Sequence, residues 1–81
     1  MSEHELKILP DYLSAIANGR KRFEIRRNDR NFSVGDVLVL NEWQPESGYT
    51  GLSIPVVVTY MTNFAQRDGY IVMGIELDYR K

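Results

Sequence analysis

The alternation of hydrophobic and polar residues predicts a domain built mainly from β-strands. Leu6 and Ile8 alternate with charged residues near the N-terminus, which is the period of a half-buried strand. Three later apolar segments have the length and the β-branched content of strands, and they cover residues 37–43, 54–62 and 70–77. Within them, we expect Pro55 to mark an edge or a bulge, and Gly74 a bulge or a close backbone approach.

One helix is predicted between the first two strands. Pro10 suits the first turn of a helix, and Asn18-Gly19 provides a C-terminal stop. The apolar residues between them fall on one helical stripe that would face the core: Tyr12, Leu13, Ile16 and Ala17.

The segment after Gly19 alternates strictly and is strongly charged. We expect a strand that buries Phe23 and Ile25 and presents a charged trio on its opposite face, consisting of Arg22, Glu24 and Arg26. Residues 20–30 contain six basic and two acidic side chains, a balance of +4 within a protein of net charge −1. The charge is therefore polarised along the chain, with a basic segment that suits an anionic partner.

These elements add up to one small domain covering residues 1–81. Residues 44–51 and 63–69 are rich in glycine and polar side chains and are predicted to be loops. The predicted fold class is mainly β (α+β), with about five strands and one N-terminal helix. A closed or partly closed barrel would protect the edges of such a sheet.

Several classes of site and location are excluded or disfavoured. The chain has no cysteine and one histidine, His4, so the sequence predicts no metal site and no cofactor. It also lacks the usual nucleophile and phosphate-loop motifs. No apolar segment approaches a membrane span, and the acidic N-terminus does not resemble a signal peptide. We expect a cytoplasmic protein with no membrane contact.

The segment Gly19-x-Lys21-x-x-Glu24-x-Arg26 resembles the signature of the ASCH domain family. The similarity is to a short bacterial and phage branch related to ASCH domains. It extends over residues 4–10, Asn28-Asp29-Arg30, Phe32-x-Val34-Gly35-Asp36 and Tyr49-x-Gly51. This resemblance implies a small PUA-like β-barrel and an RNA-binding role, as proposed for the ASCH module of activating signal cointegrator proteins.

The candidate binding residues combine charged and aromatic side chains. Arginine presents a planar fork to a phosphate or a base edge, lysine a mobile charge, and an aromatic ring a stacking platform. On these grounds we expect an RNA or nucleoside site formed by Lys21, Glu24, Arg26, Arg30, Trp43 and Tyr49. The structural alternative makes Glu24 and Arg26 an ion pair and Trp43 a cap on the core, while Asn28 and Asp29 fit ordinary turn chemistry.

Three functions remain open from the sequence. The first is binding of RNA or a modified nucleotide. The second is hydrolysis of acylated cytidine, which one branch related to ASCH domains carries out with a lysine, a threonine and a glutamate. Lys21 would match the lysine and Glu76 is a weak match to the glutamate, but Glu24 stands at the position of the threonine. This departure favours binding over catalysis, in which Lys21 and Glu24 would be the catalytic pair. The third is protein interaction.

Overall fold

The structure, a computed structural model, describes residues 2–79. In chain order its elements are β1 (Glu3–Ile8), α1 (Pro10–Ala17), β2 (Phe23–Arg27), β3 (Val37–Gln44), β4 (Gly48–Thr62) and β5 (Tyr70–Leu77). Within residues 2–79, no helix is long and apolar enough to span a bilayer.

All five strands form one sheet in the order β1-β3-β4-β5-β2. The first pair, β1 and β3, is parallel, and the other three pairs are antiparallel. The sheet curls into a half-barrel, and β1 and β2 are its two edges. The predicted fold class, mainly β with about five strands and one N-terminal helix, is confirmed.

The core lies inside the curl and is closed by one side of α1. Leu6 and Ile8 point inward from β1 as their alternation predicted, and Leu13 and Ile16 are buried on α1. The remaining core residues come mainly from the central strands: Phe32, Leu38, Leu40, Val56, Val58, Ile71, Met73 and Ile75. The predicted helical stripe is too wide, because Tyr12 and Ala17 are exposed.

The prediction of a loop over residues 44–51 is wrong in part. β3 ends at Gln44 and β4 already begins at Gly48, so only a three-residue turn separates them. Trp43 pairs with Tyr49 across this hairpin. Because β5 pairs with β4 only from Val56 onward, the hairpin protrudes as a two-stranded arm. The glycines that suggested a loop instead adopt left-handed conformations within the hairpin, with φ 81° at Gly48.

Pro55 and Gly74 both lie where the pairing of β4 with β5 departs from a regular ladder. Pro55 lies one residue before the first strand pair of β4 and β5, but its backbone oxygen accepts a hydrogen bond from the N–H of Asp78 at 3.0 Å, so the predicted edge is not open at this position. Gly74 lies opposite the bulge between Val58 and Tyr60, and a Cβ atom there would come within 3.2 Å of Thr59 Oγ1. The close approach of β4 to β5 therefore leaves little room for a side chain at this position.

A buried carboxylate fastens the start of β1 to the turn before β3. Asp36 is 3% exposed and accepts hydrogen bonds from the backbone N–H groups of Ser2 and Ser33, at 2.9 and 3.0 Å. His4 Nε2 lies 2.9 Å from the same carboxylate, and its ring packs edge-on against Phe32. Burial alone would raise the pKa of Asp36, but the hydrogen bonds from Ser2, His4 and Ser33, with the charge of His4, lower it overall.

Replacing Asp36 is expected to destabilise the fold in a pH-dependent way. Asp36→Asn should lower the free energy of unfolding at pH 7 by about 1–3 kcal/mol, since it weakens several buried hydrogen bonds at once. Because the folded protein holds the Asp36 pKa below its unfolded value, this carboxylate stabilises the fold above about pH 4 and loses that effect as the pH falls through the lowered pKa. The wild type and the variant should therefore converge in acid. Urea titrations at pH 7 and about pH 3 measure the effect, with exposed Asp29→Asn as the control.

Candidate functional site

The two faces of β2 are the reverse of the sequence prediction. Phe23 and Ile25 are 43% and 50% exposed, whereas Glu24 is 4% exposed. The alternation was predicted correctly, but its apolar side faces outward. The physical reason is that β2 is an edge strand, and its inward-pointing side chains border the gap between the two sheet edges, where cations surround Glu24.

Glu24 is the centre of a three-residue ion cluster. Lys21 Nζ donates to Glu24 Oε1, and Arg26 Nε donates to Glu24 Oε2 at 2.8 Å. Lys21 Nζ also donates to the backbone oxygen of Phe23 at 2.7 Å. The two cations are only partly buried, so Glu24 is the member that depends most on the cluster for its polar contacts.

Two arginines bridge the gap between the edge strands. Arg26 Nη2 donates to the backbone oxygen of Lys7 at 2.8 Å, and Arg30 Nη1 donates to the backbone oxygen of Glu5 at 2.7 Å. Both acceptors belong to β1, which pairs with β3 on its other side. Side chains thus satisfy carbonyl groups that a neighbouring strand would bond in a closed barrel. We call these two contacts the arginine seam.

Two clefts lie on the two sides of the arginine seam. The motif cleft has a cavity volume of about 450 Å³ and is lined by Lys7, Ile8, Leu9, Tyr12, Lys21, Phe23, Glu24, Ile25 and Arg26. The hairpin cleft has a volume of about 680 Å³ and lies between the seam and the protruding arm. Its lining residues are Glu5, Leu6, Lys7, Arg26, Arg30, Asn41, Glu42, Tyr49, Gly51 and Leu52.

The structure brings most of the predicted site residues together, but in two groups. Lys21, Glu24 and Arg26 line the motif cleft. Arg26 also lines the hairpin cleft, together with Arg30 and Tyr49. Trp43 lines neither cleft; it supports the arm from β3, where it pairs with Tyr49.

Lys7 is a site residue that sequence reasoning missed. It lines both clefts, and its Nζ lies 4.6 Å from the centre of the Trp43 ring. The alternation of β1 placed Lys7 on the polar side of its strand, but only the parallel pairing with β3 brings it to Trp43. Tyr12 was likewise assigned to the core, although its ring centre lies 5.5 Å from Lys21 Nζ in the motif cleft.

The acidic side chains of the hairpin cleft have polar partners of their own. Asn41 Nδ2 donates to Glu5 Oε1, and Thr50 Oγ1 donates to Glu42 Oε1, each at 2.8 Å. These neutral donors reduce the need for each carboxylate to bind a cation of the cleft. Among the residues described, no group of three or more potential ligands could hold a metal ion.

Removing the Glu24 carboxylate is expected to open the gap between the edge strands. Glu24→Ala should lower the free energy of unfolding by about 3 kcal/mol, because it leaves two partly buried cations without their shared partner. Urea unfolding compares this variant with Glu46→Ala, which removes an exposed carboxylate from the hairpin turn. Equal stability of the two variants would contradict a structural role for Glu24.

Comparison with known proteins relates the chain to others by sequence and by fold. It is 36% identical over 62 residues to the "Uncharacterized 12.9 kDa protein in GpA 3'region" of Escherichia phage P2, and the match covers 76% of this chain and 56% of the phage protein. The chain thus spans little more than half the length of that relative. The crystal structure of hypothetical protein PH0355 matches with a TM-score of 0.68 over 94% of this chain and 99% of that one; at 16% identity, this shows a shared fold alone. The family model "Domain of unknown function (DUF3850)" matches residues 3–75. The chain therefore belongs to the DUF3850 family.

Proposed function

We propose that this domain binds RNA or an RNA-derived nucleotide in the hairpin cleft. The observation that carries the proposal is the arrangement of Arg26 and Arg30, which each donate one N–H group to a backbone oxygen of β1 and line the same cleft. A guanidinium has five N–H donors, so both arginines retain donors for a phosphate or a base edge. Because the arginines are already ordered, binding costs less side-chain entropy.

Aromatic side chains on the arm supply the second part of the proposed site. Tyr49 is 60% exposed and lines the hairpin cleft opposite the arginines. An exposed ring at this position can stack on a base while the guanidinium groups hold the adjoining phosphate. Trp43 contributes indirectly, since its ring contacts the ammonium group of Lys7, and Lys7 lines the cleft.

The resemblance to ASCH domains supports the same assignment. Its signature residues Lys21, Glu24 and Arg26 form the ion cluster that orients Arg26. In this proposal the domain is a member of the wider ASCH and PUA-like group, and it acts on RNA in the cytoplasm of a bacterial cell. The shared fold with PH0355 is compatible with this assignment and carries no functional argument of its own.

The geometry supports hydrolysis of an acylated nucleoside less well. Both oxygens of Glu24 are engaged, one by Lys21 and one by Arg26. A general base must have an oxygen within reach of the water that it activates. Binding of a ligand by Arg26 requires no change in these contacts of Glu24, so we rank amidohydrolase activity second.

Loss of one cleft arginine is expected to weaken RNA binding and its dependence on salt. Arg30→Ala should reduce the affinity for short single-stranded RNA, and the slope of log K against log salt should fall by about 0.7 for each lost phosphate contact. Tyr49→Ala should cost about 1–3 kcal/mol of binding free energy if one base stacks on the ring. Fluorescence anisotropy over a series of salt concentrations measures both effects.

The matched control is Arg20→Ala, which removes an exposed arginine whose Nε donates to Asn18 beside the end of α1. It should leave both the affinity and the salt slope unchanged. Circular dichroism checks that each variant is folded. If the wild type binds no RNA or nucleotide at low salt, the proposal is wrong; deacylation of acylated cytidine that requires Lys21 would establish the second function instead.

A further inference from the structure

The outer face of the sheet carries an exposed apolar surface that is separate from the hairpin cleft. The strand register puts Ile25, Val72 and Thr62 in one row across β2, β5 and β4, and puts Phe23, Gly74 and Tyr60 in the next. Ile25 is 50% and Tyr60 67% exposed. Among residues 2–79, α1 packs on β3 and so leaves these rows uncovered. We define the outer face by Phe23, Ile25, Tyr60, Thr62 and Val72.

The two ends of this outer face carry opposite charges. At one end Arg27 pairs with Tyr70, and the guanidinium carbons of Arg67 and Arg27 lie 4.7 and 5.7 Å from the centre of the Tyr70 ring. At the other end Glu76 is exposed on β5, six residues beyond Tyr70. At a rise of about 3.4 Å per residue, the two ends are about 20 Å apart.

We propose that the outer face binds the outer face of a second copy of this chain. The charge pattern selects the arrangement. A two-fold axis that lies in the interface and crosses β5 between Val72 and Gly74 brings Glu76 of each copy to Tyr70 of the other, between Arg27 and Arg67. An axis parallel to β5 would bring the two Glu76 side chains together, and like charges at an interface cost free energy.

The composition of the outer face fits a protein partner better than a nucleic acid. Its centre is aliphatic and aromatic, and its polar groups lie at the rim, as in the contact regions of protein interfaces. Ile25 and Val72 offer no donor to a phosphate and Glu76 would repel one, so only the Tyr70 end, with Arg27 and Arg67, would attract a phosphate. An isologous contact also uses both charged ends of the face at once, which is the self-complementarity that two-fold symmetry requires.

The area of the outer face sets the strength of the contact. Three strands about 4.8 Å apart and about 20 Å long present a face of roughly 300 Å² in projection. Stable interfaces bury about 800 Å² of accessible surface per partner, so the dimer should be weak, with a dissociation constant on the order of 100 μM. The outer face shares no residue with the lining of the hairpin cleft, so the contact leaves that cleft open; Phe23 and Ile25 are shared with the lining of the motif cleft.

Sedimentation velocity of the full chain between about 1 and 500 μM should show a monomer–dimer equilibrium. Ile25→Glu should raise the dissociation constant at least about tenfold, because it places a charge in the apolar centre. Arg27→Glu and Glu76→Arg should each weaken the dimer, whereas the double variant should regain most of the affinity because the opposite charges again face each other. Circular dichroism confirms that each variant is folded, and Glu46→Arg provides a matched change of charge outside the outer face.

Three results would overturn the inference. The first is a protein that remains monomeric over the whole concentration range. The second is a double charge variant that regains none of the affinity lost in the single variants, and the third is self-association that depends on Tyr49 and Arg30 rather than on Ile25. Single-stranded RNA binding that requires Tyr60 in a monomeric protein would identify a nucleic acid as the occupant instead. The RNA proposal is tested separately, because Arg30→Ala and Tyr49→Ala leave the outer face unchanged.

Discussion

The gap between the two edges of the curled sheet is closed by side chains, and the buried carboxylate of Glu24 organises that closure. Five strands leave β1 and β2 without a partner on one side, and unpaired strand edges expose backbone groups to non-native pairing. Lys21, Arg26 and Arg30 donate to backbone oxygens along this gap. Glu24 compensates the charge of two of these cations where they are partly removed from water. The half-barrel therefore depends on an ion cluster where a larger barrel would use another strand.

The spacing of Gly19-x-Lys21-x-x-Glu24-x-Arg26 suits the closure of the gap between β1 and β2. Gly19 adopts φ 83°, which lets the chain leave α1 and enter β2 within a few residues. Glu24 and Arg26 share one face because the strand period is two, and Lys21 reaches the same carboxylate from before the strand begins. The closure thus holds Arg26 and Arg30 beside the hairpin cleft. The residues that resemble the ASCH signature therefore have a structural role in this protein, because their side chains close the gap between the sheet edges.

The sequence predicted most of the helices and strands but not how the strands pair or which side of β2 faces the core. Alternation located β1 and β2, apolar segments rich in β-branched residues located the other three strands, and Pro10 and Gly19 bounded the helix, because these signals lie within a few residues. The burial of β2 was wrong because alternation defines two faces without stating which faces inward; that depends on the long-range arrangement that makes β2 an edge. The hairpin was missed because left-handed glycines occur in tight strand turns as well as in loops. Lys7 joined the site only through pairing across the sheet.

A single short strand determines two surfaces with different chemistry. The inward side chains of β2 hold the ion cluster, and Arg26 lines both clefts, while Phe23, Ile25 and Arg27 lie on the opposite side of the strand, where Phe23 and Ile25 also border the motif cleft. Had Phe23 and Ile25 been buried, the charged trio would be a solvated stripe and the edges of the sheet would lack their cations. The reversal that defeated the sequence prediction is therefore the feature that orders the candidate site. It also leaves apolar surface exposed, which costs free energy in water unless another surface covers it. The proposed ligand site takes Arg26 from the inward side of β2, and the proposed outer-face contact takes Phe23 and Ile25 from the other side, so substitutions at alternate positions of β2 separate the two proposals.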